Sequence, residues 1–544
     1  MARELEALKN QRGDEGVLKS TPSSMTDEPF RSPEQPSNIS FRPVFDESGL
    51  DLENFQLGAF VIDKSMVVDS FKLFASLFYP HFPIFESSVT IGSIHQASPF
   101  LFWTIIAIVM SHATRSIHDD LWSLMKEPYV ATLKSEILKA PIPLDTIQAI
   151  SYLIMWPLPS IRQIQDPTWL YCGVAVNAAL YMGIHSPKPA RSLRGIGVKP
   201  GSMQARSNTW LGCFLSSASL SIFLGLSPLI DSTTDLNTIE KFVREPSVQR
   251  EFAYQVMVHH TLAKFTNILA NDTNGPINHS LVELIDGELD ALQTRFPTDW
   301  TPRTEFNVLV AKLQLYTMTI VRTQSDPASH DVLLKLGFSA ALRIVYLSKE
   351  SLPYVSDEHN DLNPAWLQRS LPKNYFRSLI LAAIFLLRYF ALNSRATAQE
   401  RELARNHVII VHAYFKEGAT NDTRDERLRA AALLEHLGQQ QAVDIENAKL
   451  RIDNRLGASL LFDAISESAE LRNKSGEARE TIPDIVSHPQ KNSFDTATNG
   501  IQLSVGLENK MVEEYEPLDF SLPQDIWGDS LWDMFDFGIA PSQQ

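Results

Sequence analysis

The chain has 544 residues, 44% of them hydrophobic, enough for a large helical body with tails or for two to four ordinary domains. A formal net charge of -16 makes it a poor non-specific partner for phosphate backbones, which call for Lys and Arg in excess. Its two cysteines, Cys172 and Cys213, exclude a disulfide framework and point to a reducing, intracellular setting.

Residues 1–12 begin MARELEALKNQ, with Leu5 and Leu8 three apart. This is at most one heptad, too short to be a stable helix alone. The stretch is mostly polar and has no apolar core of a secretory signal. Residues 13–62 are rich in Ser, Pro, Glu and Asp and read as a disordered linker.

Order is expected from Asp63. Val67, Phe71, Phe74 and Phe78 share a helical face, and the helix must stop near Pro80, with Pro83 close behind. The turn reads FYPHFPIF, residues 78–85. Ser98 is placed to cap a helix with Pro99 in its first turn. Further helices are predicted over 119–139, from a cap at Asp145 to Pro157, and from a cap at Asp166 to a stop at Gly183. Residues 185–206 carry Lys188, Arg191, Arg194, Lys199 and Arg206 among prolines and glycines, with no acid. This basic loop is either a solvated connection or a contact to an acidic partner or a phosphate.

Residues 206–231 read as one helix. Asn208 is placed as its cap, and Trp210, Phe214, Ser217, Ser221 and Leu224 share a face. Gly225 can end it in the left-handed conformation, and Pro228 cannot continue it. No charge falls between Trp210 and Ile230, which predicts burial on nearly all sides. Ser216, Ser217, Ser219 and Ser221 can bond carbonyls one turn back. Helical patterns then run to about Leu471, one starting at Thr301–Pro302 and others over 331–349, 372–392, 397–415, 424–437 and 459–471. The longest apolar runs, 99–110 and 379–387, are too short to span a bilayer. The second is bracketed by Arg377 and Arg388. Strand alternation is nearly absent, so the body, residues 63–472, is expected to be all-α, a multi-helix domain between disordered segments.

Residues 473–512 are again linker-like. In residues 513–544 acids interleave with aromatics, and no base follows Lys510. Trp527, Leu531, Met534 and Phe535 would share one face of a helix, with Trp532 and Phe537 beside it and Gly528 weakening it. Folding on a groove-bearing partner is the expected mode of an acidic activation segment; docking on the chain's own core is the alternative.

The sequence holds no catalytic motif of the H-E-x-x-H, G-x-S-x-G, dinucleotide or P-loop kinds. His259 and His260 point about 100° apart on one helix and cannot easily share a metal. Cys172 and Cys213 read as small core residues, since two ligands do not make a zinc site.

Three stretches together resemble the middle homology region of fungal zinc-cluster transcription factors, of the leucine-biosynthesis and secreted-protease type. They are LFASLFYPHFPIF (73–85), TWLYCGVAVNAALYMGIHSP (168–187), and the run with Arg206, Trp210, Ser219, Gly225 and Pro228. Met182 stands where the second pattern usually has leucine, and Asn208 replaces an arginine of the third. The family's zinc cluster needs six closely spaced cysteines, and none precedes Cys172, so its zinc ions have no ligands here. The resemblance makes Leu5 and Leu8 the tail of a dimerising coiled coil in a chain that starts after its cluster or lacks one.

What the resemblance implies is a nuclear, pathway-specific transcriptional regulator, an activator of a secondary-metabolite gene cluster or of nutrient-acquisition genes. It would not be an enzyme or a membrane protein. Its body would bind a metabolite or mask the tail, and the tail would recruit a coactivator. It would act as a homo- or heterodimer, with DNA contact through a missing N-terminal module or a partner. A DNA-binding-deficient co-regulator or dominant inhibitor is the alternative, and a helical small-molecule-binding protein or enzyme is the alternative of another class.

Overall fold

Apolar periodicity and helix-stop residues divide the body into seventeen α-helices among the described residues. The computed structural model describes residues 45–47, 49–86, 89–112, 116–159, 166–188, 201–271, 279–320, 327–350, 364–393, 395–420, 425–438 and 455–475. In chain order the first helices are α1 (Lys64–Leu73), α2 (Ile91–Ala97), α3 (Pro99–His112), α4 (Ser116–Glu136), α5 (Leu144–Met155) and α6 (Thr168–Tyr181). Next come α7 (Met203–Leu224), α8 (Thr233–Phe242), α9 (Arg250–Asn271), α10 (His279–Arg295), α11 (Pro302–Ile320) and α12 (Pro327–Glu350). The last are α13 (Pro364–Ser370), α14 (Lys373–Leu392), α15 (Ala398–Gly418), α16 (Glu426–Gly438) and α17 (Ser459–Ser475). The body is all-α, as its periodicity predicts, with one small hairpin in front. None of the described helices is long and apolar enough to cross a membrane.

That hairpin corrects the expected start of order. Strands β1 (Asn54–Leu57) and β2 (Phe60–Asp63) pair antiparallel, with Phe55 opposite Ile62. Phe45, Leu50, Phe55, Leu57, Phe60 and Ile62 are all buried in the core, so the body begins ahead of Asp63. Gly58 supplies the positive φ of the turn. The composition of residues 13–62 hid these few apolar side chains among polar ones.

The α1 stripe lies where expected: Val67, Phe71, Phe74 and Phe78 are all fully buried. Phe74–Phe78 winds as a π segment, and Tyr79–His81 as a 3-10 turn ending at Phe82. The turn is then held by side chains from three helices. Arg303 donates to Pro80 O (2.8 Å), Tyr152 to Phe82 O (2.7 Å), Gln148 to Ile84 O (3.3 Å) and Asn208 to Phe85 O (3.4 Å). Buried carbonyls need such partners, because no water reaches them. Phe82 packs edge-on against Tyr152 and Phe252, which fixes the turn between α5 and α9.

Helix α7 is the hub. It packs against α5, α6, α8, α9 and α14, and every residue from Ala205 to Ile222 is buried. Its cap is Ser202, whose Oγ accepts from Ala205 N at 3.0 Å. Asn208 is therefore not the cap; it lies inside the helix and reaches the Phe85 carbonyl. Gly225 ends α7 at φ 64°, as the stop signal predicts. Gly212 allows close approach of the turn, since a Cβ there would meet Ile84 Cγ2 at 2.8 Å. Ser216 and Ser219 bond carbonyls of their own helix, but Ser217 Oγ and Ser221 Oγ are buried without a partner among the described residues.

Other caps divide the same way. Ser98, Thr301 and Thr397 accept from backbone N–H groups of α3, α11 and α15. Asp166 is not the cap of α6, which is Pro167, though its carboxylate accepts from Thr168 N at 3.0 Å. Asp145 is in the first turn of α5 rather than its cap, because α5 starts at Leu144 after Pro143.

Candidate functional site

Beneath the C-terminal half of α7 lies a small cleft, partly open to solvent. Phe223 of α7 forms one wall, and Phe306, Val310 and Ala311 of α11 another. Gly457 and Leu461, from the short turn Leu456–Ala458 and α17, close a third side. Residues 374–381 of α14 contribute the charge, Arg377.

Arg377 is 5% exposed. Its guanidinium stacks over the Phe223 ring, 4.9 Å from the centroid. Its Nε and Nη2 have no hydrogen-bond partner among the described residues. Burial pulls its pKa below the usual arginine value, opposed by the charges of Asp166 and Glu426. Those two carboxylates are themselves held by Lys373, one turn earlier on α14, at 3.4 and 3.0 Å. Arg388, at the other end of the same apolar run, has local partners: it pairs with Asp463 at 3.2 Å and with Glu467. The two arginines bracketing residues 379–387 thus have opposite environments.

Three further buried polar atoms line the cleft without partners among the described residues: Gln314 Oε1, Asn374 Oδ1 and His259 Nδ1. Burial lowers His259 to about 4, so its imidazole is neutral at neutral pH. Its neighbour His260 turns away and its Nε2 lies 3.0 Å from Leu236 O, a structural contact between α9 and α8. Gly457 keeps the floor close, since a Cβ would meet Met318 Cγ at 2.9 Å. The chemistry on offer is that of a binding site: one buried cation, amide groups and aromatic faces. Among the described residues no three His, Cys, Asp or Glu side chains are arranged to hold a metal ion.

Sequence reading did not find this cleft. Arg377 entered only as the flank of an apolar run, and its isolation depends on which helices surround it. The one available signal was a guanidinium in an otherwise apolar helix without an acid nearby in sequence. The residues that sequence reading did single out lie elsewhere. Trp527, Leu531, Trp532, Met534, Phe535 and Phe537 are outside the described residues, as are Leu5 and Leu8. Of the basic loop, Lys188 is exposed and residues 189–200 are outside the described residues. Arg206 belongs to α7, where it donates to Ser186 O (3.1 Å) and Pro187 O (3.2 Å). Cys172 and Cys213 are buried and free; burial pushes the Cys213 thiol up to about 12 and the Cys172 thiol higher still.

The three sequence stretches converge in space. The turn at 78–85 meets α7 at Gly212 and Asn208. The end of α6 meets it at Trp210, whose ring lies 5.8 Å from that of His185, and through the Arg206 clamp. Residues 71–269 match the fungal specific transcription factor domain. SEF1 of Eremothecium gossypii is 23% identical over 524 residues, 91% of this chain and 47% of that protein. The transcriptional regulatory protein SEF1 of Candida albicans is 24% identical over 451 residues, 78% of this chain and 47% of that protein. The regulatory protein LEU3 of Saccharomyces cerevisiae is 22% identical over 345 residues, 56% of this chain and 38% of that protein. The chain spans about half the length of the first two curated relatives. No solved structure matches it. The matched family and these relatives are transcription regulators, not enzymes.

Proposed function

We propose, from the premise that this helical body is the middle homology region of a fungal zinc-cluster regulator, that the chain controls transcription in the nucleus as a pathway-specific activator. The observation that carries this is the domain match over 71–269, set within similarity to a SEF1 regulator across 91% of the chain. The genes it serves are a secondary-metabolite cluster or a nutrient-acquisition set.

Output belongs to residues 513–544. Acid repulsion keeps this segment solvated and its aromatics available, and Trp527, Leu531, Met534 and Phe535 then fold onto a coactivator groove, with Trp532 and Phe537 alongside. DNA contact comes from a zinc-cluster module or a partner within a homo- or heterodimer, with Leu5 and Leu8 as part of the dimerising coil. The helical body regulates this output.

The test is a fusion of residues 501–544 to a foreign DNA-binding domain, read by a reporter. The fusion drives expression, and alanine at Trp527, Trp532, Phe535 and Phe537 abolishes it. A silent wild-type fusion overturns the activator assignment.

A further inference from the structure

We infer that the outer face of α6 is an interaction surface for a second copy of this chain, paired antiparallel about a two-fold axis at Asn177. The starting point is composition. No Asp, Glu, Lys or Arg lies between Asp166 and Lys188, so α6 is apolar or neutral on every side. A helix of that kind is expected to be buried all round. Among the described residues only one side is covered, chiefly by α5 and α7. The other side carries Leu170, Val174, Asn177 and Tyr181 at steps of four, three and four, the seam spacing of paired helices. Leu170 is 70% exposed and Tyr181 63%, at opposite ends of the seam.

The face is complementary to itself. Gly173 leaves a notch, since nothing lies within 4 Å of where a Cβ would sit. Gly173 and Tyr181 stand four residues either side of Asn177, so an antiparallel pair centred there lays the Tyr181 of each copy over the Gly173 of the other. A parallel pair would set Gly173 against Gly173 and leave the notch empty. Asn177 Nδ2 donates to Gly173 O at 2.8 Å, which leaves Oδ1 and a second N–H to meet the same two groups of the other Asn177 in a reciprocal amide pair. One such Asn in an apolar seam fixes register, because a slip buries its amide unpaired. Charge selects the same partner. Two chains of net charge -16 repel, and this face brings none of that charge into contact. A helix of 14 residues is roughly 21 Å long, and a contact along it falls below the ~1,200 Å² of a standard interface, so the dimer is weak and reversible. The face is separate from the coil proposed around Leu5 and Leu8, and its test reads association rather than reporter output, so failure here leaves the transcription assignment standing.

The experiment is sedimentation equilibrium of the full chain, up to hundreds of micromolar. The wild type shows a reversible monomer–dimer equilibrium. Tyr181→Glu and Gly173→Leu each weaken it by at least about tenfold. Neither lowers the unfolding midpoint of the monomer, since both positions face open space. Gly173→Leu is the sharper variant: it adds apolar surface, so non-specific sticking tightens association, whereas filling the notch weakens it. Asn177→Cys, oxidised with copper-phenanthroline, gives a disulfide-linked dimer that the wild type does not, because Cys172 and Cys213 are buried. A wild type that stays monomeric throughout, association unchanged by Tyr181→Glu or tightened by Gly173→Leu, or no more linked dimer from Asn177→Cys than from the wild type would each overturn the proposal.

Discussion

Tyr152 illustrates what single residues do here. Its hydroxyl meets the Phe82 carbonyl at 2.7 Å inside a cluster of aromatic rings. Tyr152→Phe removes one of two donors to that carbonyl, which keeps Ile84 N at 3.0 Å, and a loss of about 0.5–1.5 kcal/mol is expected from the midpoint of urea unfolding. The buried histidines give the body a pH dependence. Burial lowers His112, His259 and His260 to about 4, against an ordinary 6.5. Between those values the unfolded chain binds more protons than the folded one, so stability falls as pH drops through the window and is fully present above it. Urea midpoints are expected to be lower at about pH 5 than at about pH 7. His260→Gln, which can still donate to Leu236 O, narrows the difference; equal wild-type midpoints at the two pH values would contradict the account. At this scale the sequence disclosed the aromatic residues but not the polar ones. Periodicity shows which face a residue is on; it does not show that Gln148 reaches back to Ile84, or that Arg377 Nε and Nη2 meet no acceptor among the described residues.

Helices were the most legible elements, because apolar spacing and stop residues agree over long stretches. The α1 stripe, the Ser98 cap, the helix start at Thr301–Pro302 and the Gly183 and Gly225 stops were readable directly. Asn208 and Asp145 misled because each lies just inside a helix that had already begun. The hairpin was too short and too sparsely apolar for alternation to register. The two kinds of helical glycine position give opposite expectations. Gly225→Ala places a Cβ on a left-handed residue and against the Arg455 carbonyl, so a loss of more than about 1–2 kcal/mol is expected. Gly173, inside α6, has open space where a Cβ would sit, with nothing within 4 Å, and Gly173→Ala should stabilise by roughly 0.5–1 kcal/mol. Chemical denaturation of the pair checks both signs, and a neutral Gly225→Ala would show that the α7 terminus is not fixed as described.

For the whole molecule, three short stretches far apart in sequence were informative because they meet around α7. Their spacing reflects one packing problem: a turn, a helix end and a hub helix that must touch. The cleft was not legible, since it is formed by α7, α9, α11, α14 and the start of α17 together and no local pattern marks it. The transcriptional output proposed for residues 513–544 belongs to a different part of the chain from either. The most direct measurement is of the full chain fused to a foreign DNA-binding domain at a reporter, with and without alanine at Trp527, Trp532, Phe535 and Phe537. The account predicts expression well above that of the DNA-binding domain alone, falling close to that baseline with the four substitutions. Expression no higher than the baseline, or unchanged by the substitutions, would contradict it.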